Sequence, residues 1–252
     1  MRLLVTGSSG FVGRHLQSAI ASMPMAYENV EVVLYDRKLH LDLSHQSAPL
    51  HIIRELKPTH ILHLAWASTS GRNYDKSEEN FFWMNLTCSL VEQFATEGIV
   101  NWVVGTGKES SKSKEEAQSS YEAAKLGTKV EILRMQSDYA RWISMPYLFS
   151  LYHARPRIMA AIHQKEHLRY PLELHDYLEI RDCAFQMGTQ IVNDSSRRLV
   201  ISRGQLTSNQ TLVDRAKALY GSDIATTCSC TTKSLSPENK QPFYFTDKVL
   251  TV

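Results

Sequence analysis

The sequence predicts an α/β protein, a doubly wound parallel sheet with helices on both faces. Three observations carry this. Short β-rich runs and longer helical segments alternate as far as about Arg155, and a repeated strand–helix–strand order closes as parallel pairs with crossover helices. The first strand stops at a glycine-rich turn, Thr6-Gly7-Ser8-Ser9-Gly10-Phe11-Val12-Gly13, in a chain of 252 residues with only 11 glycines. The longest charge-free apolar stretch in the middle of the chain, Trp142 to Ala154, contains Pro146 and is too short to span a bilayer.

Arg2 to Val5 reads as a short buried strand. The run stops at Thr6-Gly7 and leaves no h-region, so a signal peptide is not expected. Gly10 to Ser22 reads as the first helix and Val30 to Tyr35 as a second β-rich run. Leu50, Ile53 and Leu56, with Ile52, form a helical stripe that ends at Pro58. Thr59 to Ala65 reads as a strand with Ile61, Leu62 and Leu64 as its apolar members. Phe81 to Ala95 is a long helix, with Phe82, Trp83 and Leu90 as a packing stripe, and Ile99 to Val104 is the next strand. Ser119 to Met135 has good helix formers throughout, and Trp142 to Leu151 is strand-like. Ser222 to Pro242 is rich in Ser, Thr and Pro and reads as loops around short elements. Neither an internal repeat nor a low-complexity tract is present.

Composition narrows the function classes. Hydrophobic residues make up 43% and charged residues 21%, which suits a soluble protein with a real core. Lys plus Arg number 28 against 26 Asp plus Glu, a formal charge of +2 without a basic stripe, so neither nucleic acid nor a membrane is an expected partner. Four cysteines, Cys88, Cys183, Cys228 and Cys230, are too few for a disulfide scaffold. A cytoplasmic enzyme or binding protein is the expectation. Cys228-Ser229-Cys230 lacks a second ligand pair, so a metal site is not expected. His60 and His63 flank a strand and read as packed, hydrogen-bonded imidazoles.

Two motifs carry chemistry. In the glycine-rich turn the backbone bends tightly and approaches a pyrophosphate, while the helix that follows turns its N-terminal N–H groups to the charge. The spacing is G-x-x-G-x-x-G. Asp36 ends the second strand, where an acid holds both hydroxyls of an adenosine ribose. Arg37 follows and suits a 2′-phosphate instead, so NAD and NADP both stay open, with the acid tilting towards NAD. Together these predict a Rossmann-type domain. The second motif is Tyr121-Glu122-Ala123-Ala124-Lys125. On a helix, residues i and i+4 share a face. A free phenol has a pKa of ~10, and acid–base work near neutrality needs it lowered by roughly 3 units, about 4 kcal/mol. A neighbouring ammonium and the charge of an oxidised nicotinamide push in that direction.

With these residues in view, the chain resembles the extended short-chain dehydrogenase/reductases that act on nucleotide sugars. The resemblance runs from residue 1 to about 215. It rests on Thr6 to Gly13, Asp36, His63-Leu64-Ala65-Trp66, Gly105-Thr106, Tyr121 and Lys125. His175-Asp176-Tyr177-Leu178-Glu179-Ile180-Arg181-Asp182-Cys183-Ala184 looks like the family's R-D-F-x-x-V-x-D-V-A segment. Tyr152 falls at its Y-G-P, and Gly204 to Ser208 resembles its late G-x-x-x-S turn. A closer likeness is to nucleotide-sugar 4-ketoreductases, through His63 to Trp66, Glu79-Asn80-Phe81-Phe82-Trp83 and Gly105 to Ser110.

The resemblance implies Thr106, Tyr121 and Lys125 as catalytic residues. It implies a cofactor, NAD or NADP, held by Gly7, Ser9, Gly10, Phe11, Val12 and Gly13 of the turn, by Asp36 and Arg37, by Asp42 and Leu43 at the adenine, by Leu64, Ala65 and Trp66, by Asn85 at a ribose, and by Tyr121 and Lys125. A Rossmann domain over residues 1–150 is implied, with a small C-terminal substrate-binding lobe over 151–252 of which about 175–195 returns to the first domain. Family helices equivalent to Phe81–Ala95 form dimer bundles, so a homodimer is implied. Arg155 and Arg157 suit either a substrate diphosphate or a solvated face. The chain departs from the pattern at His153 and Ser110, and only 14 residues separate Thr106 from Tyr121. Gly107 and Lys108 stand where dehydratases carry Asp-Glu, and Lys108 where epimerase/reductases carry a cysteine. The expected activity is reduction of a keto group on a nucleotide-linked deoxysugar. The alternatives are an epimerase on the same scaffold and a non-catalytic dinucleotide sensor.

Overall fold

A computed structural model describes residues 1–21, 29–38, 40–66, 71–107, 117, 119–149, 174–193, 196–212 and 214. Lys108, Glu109, Ser110, Tyr152, His153, Arg155, Arg157, Cys228, Cys230 and the 222–242 segment lie outside them. The chain forms two compact units, Met1–Met145 with Arg181–Ile201, and Pro146–Ile180 with Ser202–Val252.

The first unit is built on the expected parallel sheet. Its strands are β1 (Arg2–Thr6), β2 (Glu31–Tyr35), β3 (His60–His63), β4 (Val100–Val104), β5 (Ala140–Ser144) and β8 (Arg198–Val200). They lie in the order β2-β1-β3-β4-β5-β8, and every pair is parallel, with Val5 opposite Leu34 on one side and Leu62 on the other. Leu3, Leu4 and Val5 are all buried, as a central parallel strand covered on both faces requires. Helix α1 (Phe11–Ala21), helix α3 (Glu79–Thr96), helix α4 (Ser120–Arg134) and helix α5 (Ile180–Asn193) supply the layers. One core cluster joins Leu4, Tyr35, Leu43, Ile52, Ile61, Leu90 and Phe94. A second joins Val91, Val103, Ile132, Ala140 and Trp142, so neighbouring residues of α3 serve both.

The strand order sets the position of any site. The chain leaves β1 for β2 on one side and returns to β3 on the other. In open parallel sheets the crevice outside the strand C-termini at such a reversal is the ligand site. β1 runs into the glycine-rich turn, and β3 runs into Leu64-Ala65-Trp66.

Two elements differ from the sequence expectation. The helix after β2 begins as α2 (Ala48–His51) and passes into a π-turn, Ile52–Leu56, closed by Lys57 in the left-handed region at φ 46°. Ile52 is buried in the core, whereas Leu50 is about half exposed. The expected strand from Trp142 to Leu151 is two strands. β5 ends at Ser144, and β6 (Tyr147–Phe149) starts after Met145-Pro146, because proline has no N–H to give the ladder. In the second unit β6 pairs in parallel with β7 (Leu174–Glu179), which pairs antiparallel with β9 (Leu206–Ser208).

Candidate active site

The glycine-rich turn is held by close backbone approach. Gly7 has φ +65°, and a Cβ there would lie 2.6 Å from the Ala65 nitrogen. A side chain would therefore push β1 and the β3 exit apart. Thr6 strengthens the same junction: its carbonyl accepts from the Leu64 amide at 3.2 Å, and its Oγ1 accepts from the Ala65 amide at 3.3 Å. Gly13 sits in the first turn of α1, where a Cβ would be 2.5 Å from the Ser8 carbonyl oxygen. The missing Cβ atoms let α1 start directly against the turn, so its N-terminus faces the crevice with the partial positive charge of its unpaired end. Ser9 and Gly10 are exposed and Phe11 and Val12 partly so. A loop of this shape accepts a pyrophosphate, so these residues fit a dinucleotide.

Asp36 follows β2 and reaches back to this turn. Its Oδ1 accepts from the Lys38 amide at 2.8 Å. The Lys38 amide first, and the Ser9 hydroxyl second, hold its carboxyl below the usual carboxylate range, and the charges of Lys38 and Arg37 add a smaller pull. The carboxylate is thus linked both to the segment after β2 and to the glycine-rich turn. Asp42 is turned to its own loop: Oδ1 accepts from the Ser44 amide at 2.9 Å and the Ser44 hydroxyl at 2.7 Å. Leu43 is buried in the core with Leu4 and Ile52, so its side chain is committed to packing.

The tyrosine–lysine pair lies on α4, whose N-cap Ser119 accepts from the Glu122 amide at 3.2 Å. Tyr121 is partly exposed and Lys125 is 6% exposed. The Lys125 ammonium donates to the Val104 carbonyl at 3.0 Å, at the C-terminal end of β4. Thr106 follows two residues later and is partly exposed. The hydrogen bond thus fixes the ammonium beside the segment that carries the threonine. Trp66, at the exit of β3, lies against the same helix: Lys125 Nζ is 3.7 Å from its ring centroid, and the Tyr121 ring meets it edge-on at 6.2 Å. Tyr74, in the 3₁₀ turn Gly71–Lys76, packs on Tyr121 at 5.4 Å and 77°.

Asn85 stands apart from this group. It is exposed on α3, about 140° around the helix from Asn80 at 100° per residue. Asn80 is the residue that joins the site. Only 1% exposed, it accepts from the Trp66 indole N–H at 2.9 Å and donates to the Tyr74 and Ser77 carbonyls at 2.7 and 2.8 Å. The sequence placed Asn80 in a family-like pattern but gave it no role. Its signal was a lone asparagine at a helix start, after Ser77. Among the described residues no cluster of His, Cys, Asp or Glu could hold a metal ion, and no helix is long and apolar enough to cross a membrane.

Solved structures share this fold. A dTDP-4-dehydrorhamnose reductase of Clostridium acetobutylicum superposes with a TM-score of 0.69 at 19% identity, covering 88% of this chain and 81% of that one. The Thermus thermophilus UDP-glucose 4-epimerase, in complex with NAD, gives 0.65 at 17%, covering 86% and 83%. A Bacillus anthracis dTDP-4-dehydrorhamnose reductase in complex with NADP gives 0.66 at 15%, covering 86% and 80%. At these identities the likeness is one of fold. A search of curated proteins finds no significant match. The sequence profile is more direct: residues 3–185 match it, which spans β1 to the first turns of α5, and on that match the chain belongs to the NAD dependent epimerase/dehydratase family.

Proposed function

We propose that the protein is an NAD(P)-dependent oxidoreductase that reduces a keto group on a nucleotide-linked deoxysugar. The observation that carries this is the Lys125 ammonium, held by the Val104 carbonyl at 3.0 Å beside Thr106 and one helical turn from Tyr121. The glycine-rich turn would hold the dinucleotide at its pyrophosphate, and Asp36 would hold the adenosine ribose. When bound, a reduced nicotinamide supplies a hydride to the carbonyl carbon. Thr106 orients the carbonyl oxygen through its hydroxyl. Tyr121 gives that oxygen its proton, and the Lys125 charge lowers the cost of leaving a phenolate behind. Hydride and proton together convert C=O to the alcohol. The second unit supplies the lobe that binds the nucleotide sugar, and the enzyme works in the cytoplasm.

The choice of reduction over dehydration rests on Gly107 and Lys108, which follow Thr106 at the two positions where dehydratases carry Asp-Glu. Incubation with NADH or NADPH and a panel of nucleotide-linked 4-keto-6-deoxysugars is expected to consume the nicotinamide absorbance. Tyr121→Phe should keep cofactor affinity and lose turnover by roughly 10²–10⁴-fold, whereas Lys125→Met should damage both. Near-normal turnover by the Phe variant rejects the mechanism. Cofactor binding with no turnover on any sugar by the wild type would instead favour a dinucleotide sensor.

A further inference from the structure

A lysine that is only 6% exposed has lost most of its hydration, and burial favours its neutral form. Two groups work against that here. The Val104 carbonyl accepts from Nζ at 3.0 Å, and the Trp66 ring lies 3.7 Å away by its centroid, close enough for the ring quadrupole to stabilise a cation. The indole is itself fixed, because its N–H donates to Asn80 Oδ1 at 2.9 Å. Asn80 is fixed in turn by the Tyr74 and Ser77 carbonyls. The same indole meets the Tyr121 ring at 6.2 Å and 89°. One side chain therefore touches both members of the proton-transfer pair and is held at a set angle by a third.

We propose that Trp66 is a positioning residue for the Tyr121 proton: its ring face keeps the Lys125 ammonium charged and aimed, and Asn80 sets the angle of the ring. This gives Trp66 a duty beyond touching a cofactor and gives Asn80 a duty of its own. The meaning for catalysis rests on the reductase reading, but the electrostatics do not. A charged Lys125 favours the tyrosinate form of Tyr121. Removing the ring face weakens the hold on that charge, so Tyr121 ionises at higher pH. Among the described residues, the titratable groups on the elements packed here include Tyr74 and Lys76 of residues 71–76, the latter's carbonyl accepting from Ser120 at 3.4 Å, Glu78 before α3, which accepts from Ser120 at 3.2 Å, and Glu122 of α4. All stay in place in the variants below.

The test needs neither substrate nor cofactor. Tyrosinate absorbance is followed against pH in the wild type and in Trp66→Leu, Trp66→Phe and Lys125→Met, each compared with the same protein carrying Tyr121→Phe, so that the difference belongs to Tyr121. Trp66→Leu is expected to raise the ionisation by about 0.5–1 pH unit, with Lys125→Met setting the upper limit. Trp66→Phe, which keeps a weaker ring face, should fall between wild type and Leu. If the Leu variant does not fold, the Phe variant still has to shift in the same direction. Trp66 variants that titrate with the wild type while Lys125→Met shifts would overturn the proposal. So would a Tyr121 indifferent to Lys125, or one that does not ionise before the protein unfolds. The reductase reading fails separately: a shifted ionisation series in a protein that turns over no keto sugar leaves the role of Trp66 standing and removes the activity.

Discussion

Asp36 holds a carboxylate charge at the end of β2 while two cationic side chains, Arg37 and Lys38, follow it directly. Its hydrogen bonds from the Lys38 amide and Ser9 keep it ionised, and on the proposed reading that fixed anion should accept two ribose hydroxyls and repel a 2′-phosphate. Asp36→Ala should therefore improve NADP(H) binding relative to NAD(H), by calorimetry, because Arg37 and Lys38 are then unopposed. A wild type that already prefers NADP(H), with the variant unchanged, would remove this role. At this scale the sequence was most informative where a residue type has one physical use in its setting. Gly7 and Gly13 are such cases, since only the absence of a Cβ allows the approaches seen. Asn85 and Leu43 were less legible. Their sequence neighbours resemble a pattern, but whether a side chain faces a ligand, solvent or the core depends on helix phase and packing that one sequence does not display.

The elements repeat this contrast. Alternating β-rich and helical segments located every strand of the sheet up to β5, because continuous apolar runs and helix formers are local signals. The π-turn at Ile52–Leu56 was not visible. It is closed by the Lys57 amide on the Ile52 carbonyl, an i→i+5 bond that no local run of residues announces. The break at Met145-Pro146 carried a signal in Pro146 itself, masked by the apolar residues on either side. Helices α3 and α4 pack on each other and still expose Phe82 and Val130, each about half accessible. Apolar side chains on adjacent helices are more than one sheet face uses, and an isologous pairing of the two helices with their copies would cover them. Light scattering should then give twice 28.7 kDa at micromolar concentration with cofactor present, and a species of the single-chain mass would count against the pairing.

For the whole molecule, acid is the expected weak point. His63 is buried between sheet and α3, its Nε2 donating to Asn101 Oδ1 at 3.0 Å and its ring stacked on Phe94. Burial pushes its imidazole down from 6.5 to about 4, with the Asn101 contact opposing only in part. The unfolded chain therefore takes up a proton below pH 6.5 that the folded chain refuses until about pH 4. Stability is full above that window and falls as pH drops through it, by about 3 kcal/mol in all. Urea denaturation should show this loss in the wild type and most of it abolished in His63→Gln, which keeps an amide donor; parallel pH profiles would contradict it. The strand order β2-β1-β3-β4-β5-β8 has a further consequence, for biosynthesis. After β1 meets β2, each later strand joins a free edge of what already exists, and none has to be inserted between paired neighbours. A chain emerging from the ribosome can thus extend its sheet in the order in which it is made, with one interruption. The residues from Pro146 to Arg197 must be synthesised before β8 arrives, and until then the edge of β5 stands open with Ile143 and Trp142 in it. An open apolar edge invites pairing with another chain, so nascent chains halted in that interval are the ones most exposed to aggregation.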